Sequence, residues 1–165
     1  MKLNKINNKV AIIMGSQSDY PIMKDCEKIL KILKVKFETK IVSAHRTPKR
    51  LYEFATSFDS KGFSVAVCGA GGAHHLSGMF ASLAPTACVI GVPIKSKKSG
   101  MNGIEACLSV IQMPRGVPVG CVAIDGAFNA GLLAASIIGI VDPKVKSNLD
   151  KWKRLQTKSV KKRPK

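Results

Sequence analysis

The sequence predicts an α/β domain, a three-layer αβα arrangement around a five-stranded parallel sheet with an added C-terminal helix. Three observations carry this. Short apolar runs of strand length alternate five times with segments of helical periodicity. Most runs end in Gly, Ser or another turn residue, and a helix signal follows. The 165 residues, with mean hydropathy +0.09, suffice for one core. Strands joined through helices are parallel, because the helix carries the chain back to the end of the sheet where the previous strand began. A single domain is expected over residues 1–165, with its core at about 9–141, a terminal helix at about 142–157 and a basic tail at 158–165.

Taken in order, Lys9–Met14 is an apolar run fit for a strand buried on both faces, and Gly15–Asp19 is its turn. Ser18 or Asp19 can cap the next helix, and Pro21 falls in its first turn, where a missing N–H is harmless. Ile22, Cys26, Ile29, Leu30 and Leu33 recur at helical spacing with lysines opposite, and the helix should end near Lys34. Lys36–Ser43 alternates as a second, less central strand. Thr47-Pro48 opens a helix whose buried stripe is Leu51, Phe54, Ala55 and Phe58 and whose stop is Gly62. Phe63–Cys68 is the third strand, Gly69–His75 a glycine-rich turn, and Leu76–Leu83 a short helix. Thr86–Gly91 is the fourth strand, Lys95–Met101 a basic loop and Ile104–Gln112 a helix stopped by Met113-Pro114. Val117–Ile124 is the fifth strand and Asn129–Ile140 an apolar helix. Asp142-Pro143 starts the last helix, with Val145, Leu149, Trp152 and Leu155 on one stripe.

Composition excludes several functions. Lys and Arg number 27 against 10 Asp and Glu, a net charge of +17. That excess suits a nucleic-acid binder at first sight. Yet the lysines scatter over helix faces (Lys24, Lys28, Lys31, Lys34) and a tail, and no aromatics interleave to stack bases. A solvated basic face is the plainer reading, with no nucleic-acid partner. The five cysteines, Cys26, Cys68, Cys88, Cys107 and Cys121, form no C-x-x-C pair and are expected reduced and mostly buried in a cytoplasmic protein. Residues 1–9 are polar, so no secretory leader is expected. The nearly uncharged stretch 117–141 is long enough to span a bilayer, but Asp125, Asn129 and four glycines divide it into a strand and a buried helix. No membrane partner is expected.

The unusual residues follow strands. Ligands of parallel sheets bind beyond the carboxyl ends of the strands, so the segments 15–19, 43–46 and 69–75 should converge at one edge. Gly15, Ser16 and Ser18 at a helix start make an anion cradle, and Asp19 suits hydroxyls such as a ribose diol. Arg46 can grip a phosphate with two hydrogen bonds, and neighbouring His45 can move a proton near neutrality. Gly69, Gly71 and Gly72 let backbone approach a ligand, and their N–H groups can hold a carboxylate. Each segment alone also fits a plain helix cap or turn. Adjacent His74 and His75 seldom both reach one ion, and no third ligand has useful spacing, so no metal is expected. No nucleophile elbow and no glycosidase-type carboxylate pair appear. What is left is a phosphate- and carboxylate-binding site with one proton-carrying histidine.

Gly15-Ser16-Gln17-Ser18-Asp19, Ser43-Ala44-His45-Arg46-Thr47-Pro48, Gly69 through Leu76 and Ile111 through Val119, in that order, resemble the PurE family. The resemblance runs from about Val10 to Trp152. It implies a flavodoxin-like domain in a homo-octamer, with active sites where subunits meet. It also implies an isomerase of purine biosynthesis that needs no cofactor, converting N5-carboxyaminoimidazole ribonucleotide to 4-carboxy-5-aminoimidazole ribonucleotide. In this match Ser16, Ser18, Ser43 and Arg46 hold the 5′-phosphate, Asp19 the ribose, and Gly71, His75 and Leu76 the base and carboxylate. His45 is the acid–base group. A related branch carboxylates aminoimidazole ribonucleotide directly with carbon dioxide; Arg46-Thr47-Pro48 favours the mutase branch. A flavodoxin-like nucleotide-binding module without catalysis is the alternative from another class. His74, Ser77 and Asp125 depart from the usual pattern, and the turn at 125–129 is short.

Overall fold

A computed structural model describes residues 8–96 and 99–163. The remaining residues, parts of the expected polar start, basic loop and basic tail, lie outside the described residues. Five parallel strands run in the order β2-β1-β3-β4-β5. They are β1 Lys9–Met14, β2 Lys36–Ile41, β3 Phe63–Gly71, β4 Cys88–Ile94 and β5 Gly120–Cys121. The helices are α1 Tyr20–Ile32, α2 Pro48–Thr56, α3 His75–Leu83, α4 Ile104–Ile111, α5 Ala127–Val141 and α6 Pro143–Ser159. This is the predicted three-layer, flavodoxin-like fold, with β2 at an edge.

Alternation along β1 explains its unbroken apolar run. Val10, Ile12 and Met14 pack under α1, α5 and α6, whereas Ala11 and Ile13 pack under α2 and α3. The second layer is an aromatic knot, Phe54, Phe58, Phe63 and Phe80, with ring centroids 5.1–6.1 Å apart. Small residues set the approach of the layers. A Cβ on Gly69 would overlap the Met23 thioether, and one on Gly131 would overlap Ile29. On α1 it is Met23 that is fully buried; Ile22, expected in the stripe, is half-buried.

Three boundaries depart from expectation. The fifth strand is two residues long rather than Val117–Ile124. Pro118 has no N–H for a ladder, and the Val117 N–H turns back to the Pro114 carbonyl at 3.1 Å. Strand β3 runs on through Gly69–Gly71, with Ala70 opposite Pro93 and Gly71 opposite Ile94. The glycine-rich turn is therefore only 72–74, and Gly72, at φ +65°, is where it needs a glycine. Strand β4 likewise runs on to Ile94.

Other sequence expectations also change. Only Cys26 and Cys68 of the five free cysteines are buried; Cys88 is exposed and the other two are half-buried. Trp152 packs on Phe128 of its own chain at 5.9 Å between centroids, while Leu155 stays 66% exposed. The apolar stretch 117–141 contains a turn, the short β5 and α5. Among the described residues no helix is long and apolar enough to cross a membrane.

Candidate active site

Register brings the strand ends to one edge, with β3 and β4 running two residues past the ends of β1 and β2. Met14 lies opposite both Ile41 and Gly69, and Gly69 lies opposite Val92. The segments that follow therefore meet at one edge, around a cleft of about 910 Å³, within the range of small-molecule sites.

The first wall follows β1. Gly15 is tied to β3 by its N–H bond to the Gly69 carbonyl, 3.2 Å. Ser16 caps a single 3-10 turn at Gln17–Asp19, its hydroxyl accepting from the Ser18 N–H at 3.4 Å. That turn already gives Asp19 helical backbone angles, so neither Ser18 nor Asp19 caps α1 with its side chain, contrary to expectation. The Asp19 carboxylate is left facing the cleft. Burial raises its pKa, opposed by the Ser16 backbone, the Ser18 hydroxyl and the Arg46 charge.

The second wall follows β2 and folds on itself. The Thr47 hydroxyl accepts from the Ser43 N–H at 2.9 Å and donates to the Ser43 carbonyl at 3.0 Å. The buried Ser43 hydroxyl accepts from the Arg46 N–H at 3.3 Å and from Nε at 3.4 Å. Arg46 Nη2 then reaches across to the Gly15 carbonyl at 2.7 Å, which joins the two walls. Ser43, His45 and Arg46 all line the cleft.

The third wall is the end of β3 and the start of α3. Gly71 and Leu76 line the cleft. His75 does not, but its Nδ1 lies 2.9 Å from Nε2 of His45, with the rings edge to face. A hydrogen bond at that distance needs one N–H and one lone pair, so at least one ring is neutral. The structure thus brings together all nine predicted site residues, eight on the cleft and His75 behind His45. Sequence reasoning missed the fourth wall, Ile94, Lys95 and Ser96, and marked its other member, Asp125, only as a departure from the family pattern. The same rule of strand ends would have found it, since Lys95 follows β4. Among the described residues no group of acidic, histidine or cysteine side chains could hold a metal ion.

His74 does not join this set. It is fully buried, and its backbone N–H donates to the Ser109 hydroxyl of α4 at 2.8 Å. Neither ring nitrogen has a partner in hydrogen-bond geometry, and burial, with the neighbouring His75, pulls the pKa down to about 4, which the Cys68 backbone is near enough only to oppose weakly. In the unfolded chain the ordinary value is 6.5, so below that pH the unfolded state binds a proton the folded state refuses. Stability from this group is complete above pH 6.5 and falls as pH drops toward 4, by about 3 kcal/mol in all. His74→Ala should therefore flatten the acid limb of a plot of urea midpoint against pH, even if the cavity lowers the plateau. Equal slopes in both proteins would count against this.

The chain matches known proteins over most of its length. The family model described as AIR carboxylase matches residues 9–159. An N5-carboxyaminoimidazole ribonucleotide mutase of Pyrococcus abyssi (strain GE5 / Orsay) is 51% identical over 145 residues, covering 88% of this chain and 82% of that protein. The protein of the same name from Brucella melitensis biotype 1 is 48% identical over 157 residues, covering 94% and 95%. That from Escherichia coli (strain K12) is 44% identical over 160 residues, covering 94% and 92%. Among solved structures, Treponema denticola PurE superposes with a TM-score of 0.77, covering 91% of this chain and 92% of that one. At 22% identity that likeness speaks for the fold alone. With a family model spanning most of its length and relatives near half identical, the chain belongs to the AIR carboxylase family, the PurE family that its motifs resemble.

Proposed function

We propose that this chain is an N5-carboxyaminoimidazole ribonucleotide mutase, the activity for which its relatives are named. It isomerises N5-carboxyaminoimidazole ribonucleotide to 4-carboxy-5-aminoimidazole ribonucleotide in purine synthesis. The observation that carries the reading is the placement of His45 on a cleft whose other walls offer an anion cradle and a glycine-lined surface. Ser16, Ser18, Ser43 and Arg46 hold the 5′-phosphate. The Ser43 hydroxyl accepts from Arg46 and keeps its own O–H to donate. Asp19, desolvated and uncommitted to a helix cap, takes the ribose hydroxyls. Gly71 and Leu76 face the base.

The reaction returns His45 to its starting state. The imidazolium gives a proton to N5 as the N5–carboxylate bond breaks, releasing carbon dioxide in the cleft. C4 attacks that carbon dioxide, and neutral His45 removes the proton from C4. His75, bonded to the other side of the ring, orients His45 and accepts or supplies its second N–H. No external proton and no cofactor enters the balance.

The family description, AIR carboxylase, keeps direct carboxylation as the second reading. The two separate cleanly. Supplied with the N5-carboxylated nucleotide, the chain should turn over; supplied with aminoimidazole ribonucleotide and bicarbonate, it should be slower by at least about a hundredfold, the scale on which a mispositioned reactant loses rate. The reverse preference would establish the carboxylase, and turnover of neither would leave a binding module.

We further propose that the chain works as a homo-octamer. Support comes from apolar side chains left in solvent on helices: Ile104, Leu108 and Ile111 on α4 are 43–56% exposed, and Ile140 on α5 is 82% exposed. Spaced at three and four residues, the α4 group forms one stripe fit to meet another helix. Sedimentation should give a mass near eight times 17.7 kDa. A monomer at micromolar concentration would contradict the proposal.

A further inference from the structure

The fourth wall of the cleft is built by contacts that the phosphate end does not share. Asp125 sits in the turn between β5 and α5 with φ +58°, in the left-handed region that a side chain seldom occupies. Its N–H donates to the Pro93 carbonyl at 2.8 Å, and its Oδ1 accepts the Lys95 N–H at 3.0 Å. Its Oδ2 lies 3.9 Å from Lys95 Nζ. One residue thus grips the chain on both sides of Ile94, at Pro93 through its backbone and at Lys95 through its carboxylate.

That step is closely confined on its other sides. A Cβ on Gly71 would come 2.9 Å from the Ile94 carbonyl and 3.5 Å from Ser96 Cβ. A Cβ on Gly103 would come 3.4 Å from Lys95 Cα. The wall therefore lies in contact with the end of β3, and little room separates it from the surface that faces the base. Along the sheet, three strand steps put β4 about 14 Å from β2. With the phosphate held at the β1 and β2 ends and His45 leaning toward His75 at the start of α3, the reacting end of the substrate lies toward β3, and β4 is the next strand.

We propose that Asp125 is a positioning residue for the reaction. By anchoring the Lys95 amide it fixes Lys95 and Ser96 against Gly71, and so sets the wall on which the migrating carboxyl group is held. Lys95 supplies the positive charge at that end, opposite Arg46. The proposal rests on the mutase reading for what is bound; the anchoring rests on geometry alone. It assigns the left-handed backbone of Asp125 a purpose, since strain of this kind persists where surrounding contacts hold it.

The test compares Asp125→Gly with Asp125→Asn. Glycine tolerates the left-handed backbone and removes only the carboxylate, so D125G should fold with Tm close to the wild type. Its kcat should fall at least about tenfold, the scale of a small misplacement of reacting groups, while KM, set mostly at the phosphate end, should move less than about threefold. Asn keeps an oxygen acceptor for the Lys95 N–H and also tolerates the left-handed region, so D125N should recover kcat to within about threefold of the wild type. Hydrogen exchange at the Lys95 amide should quicken in D125G and not in D125N. An unchanged kcat in D125G, a change in KM alone, or equal losses in both variants would overturn the proposal. A wild type without turnover whose Lys95 amide still depends on Asp125 would overturn the mutase reading and uphold the anchoring.

Discussion

The register of the parallel sheet is the constraint on which the site depends. Because Met14 is level with Ile41 and Gly69, the chain leaves β1 and β2 at one height and β3 two residues further along, all on the same side. Residues distant in sequence then need only short bonds to become one surface. Arg46 to the Gly15 carbonyl is such a bond, and His45 to His75 is another. A slip of one residue in β2 would turn its side chains over and carry His45 and Arg46 out of reach of both partners.

Much of this was legible in the sequence. Strands buried on both faces leave continuous apolar runs, so β1, β3 and β4 announce themselves, and the β–α alternation dictates their direction. Less legible were features decided by tertiary packing. Gly69 and Gly71 look like parts of a turn, yet they extend β3, because small residues are needed where the strand passes under Met23 and meets the Ile94 carbonyl. The apolar run at 117–124 looks like a full strand, but Pro118 and the turn from Pro114 leave only two residues to pair. Among site residues, the three conspicuous turns and the family resemblance together gave eight that line the cleft. Lys95 and Ser96 were passed over because ordinary polar residues in a loop stand out only through the strand they follow, and Asp125 stood out only as a departure from the family pattern, with no role attached to it. The contact between His45 and His75 could not be read from residues thirty positions apart.

The basic composition has no counterpart in the cleft. Among the described residues the charges lining it are two of each sign: Asp19 and Arg46 at one end, Asp125 and Lys95 at the other. The excess lysines lie mostly on exposed helix faces, where pairs such as Lys28 with Asp25 and Lys49 with Glu53 contribute little. His74 and Asp125 both break local rules near the site, His74 by being buried without ring partners in hydrogen-bond geometry and Asp125 by its left-handed backbone. They differ in kind. His74 is turned away from the cleft and affects stability in acid, whereas Asp125 lines it and holds its neighbour.

The reaction scheme gives one side chain the whole task of carrying the proton from C4 to N5. Turnover and nucleotide affinity of His45→Asn, measured side by side on the assembled protein, address that directly. Loss of a positioned acid–base group should lower kcat by about a hundredfold or more, while binding through Ser16, Ser43 and Arg46 keeps Kd within about threefold, under 1 kcal/mol. A variant that keeps turning over would contradict the account, and so would one that fails because it no longer binds nucleotide.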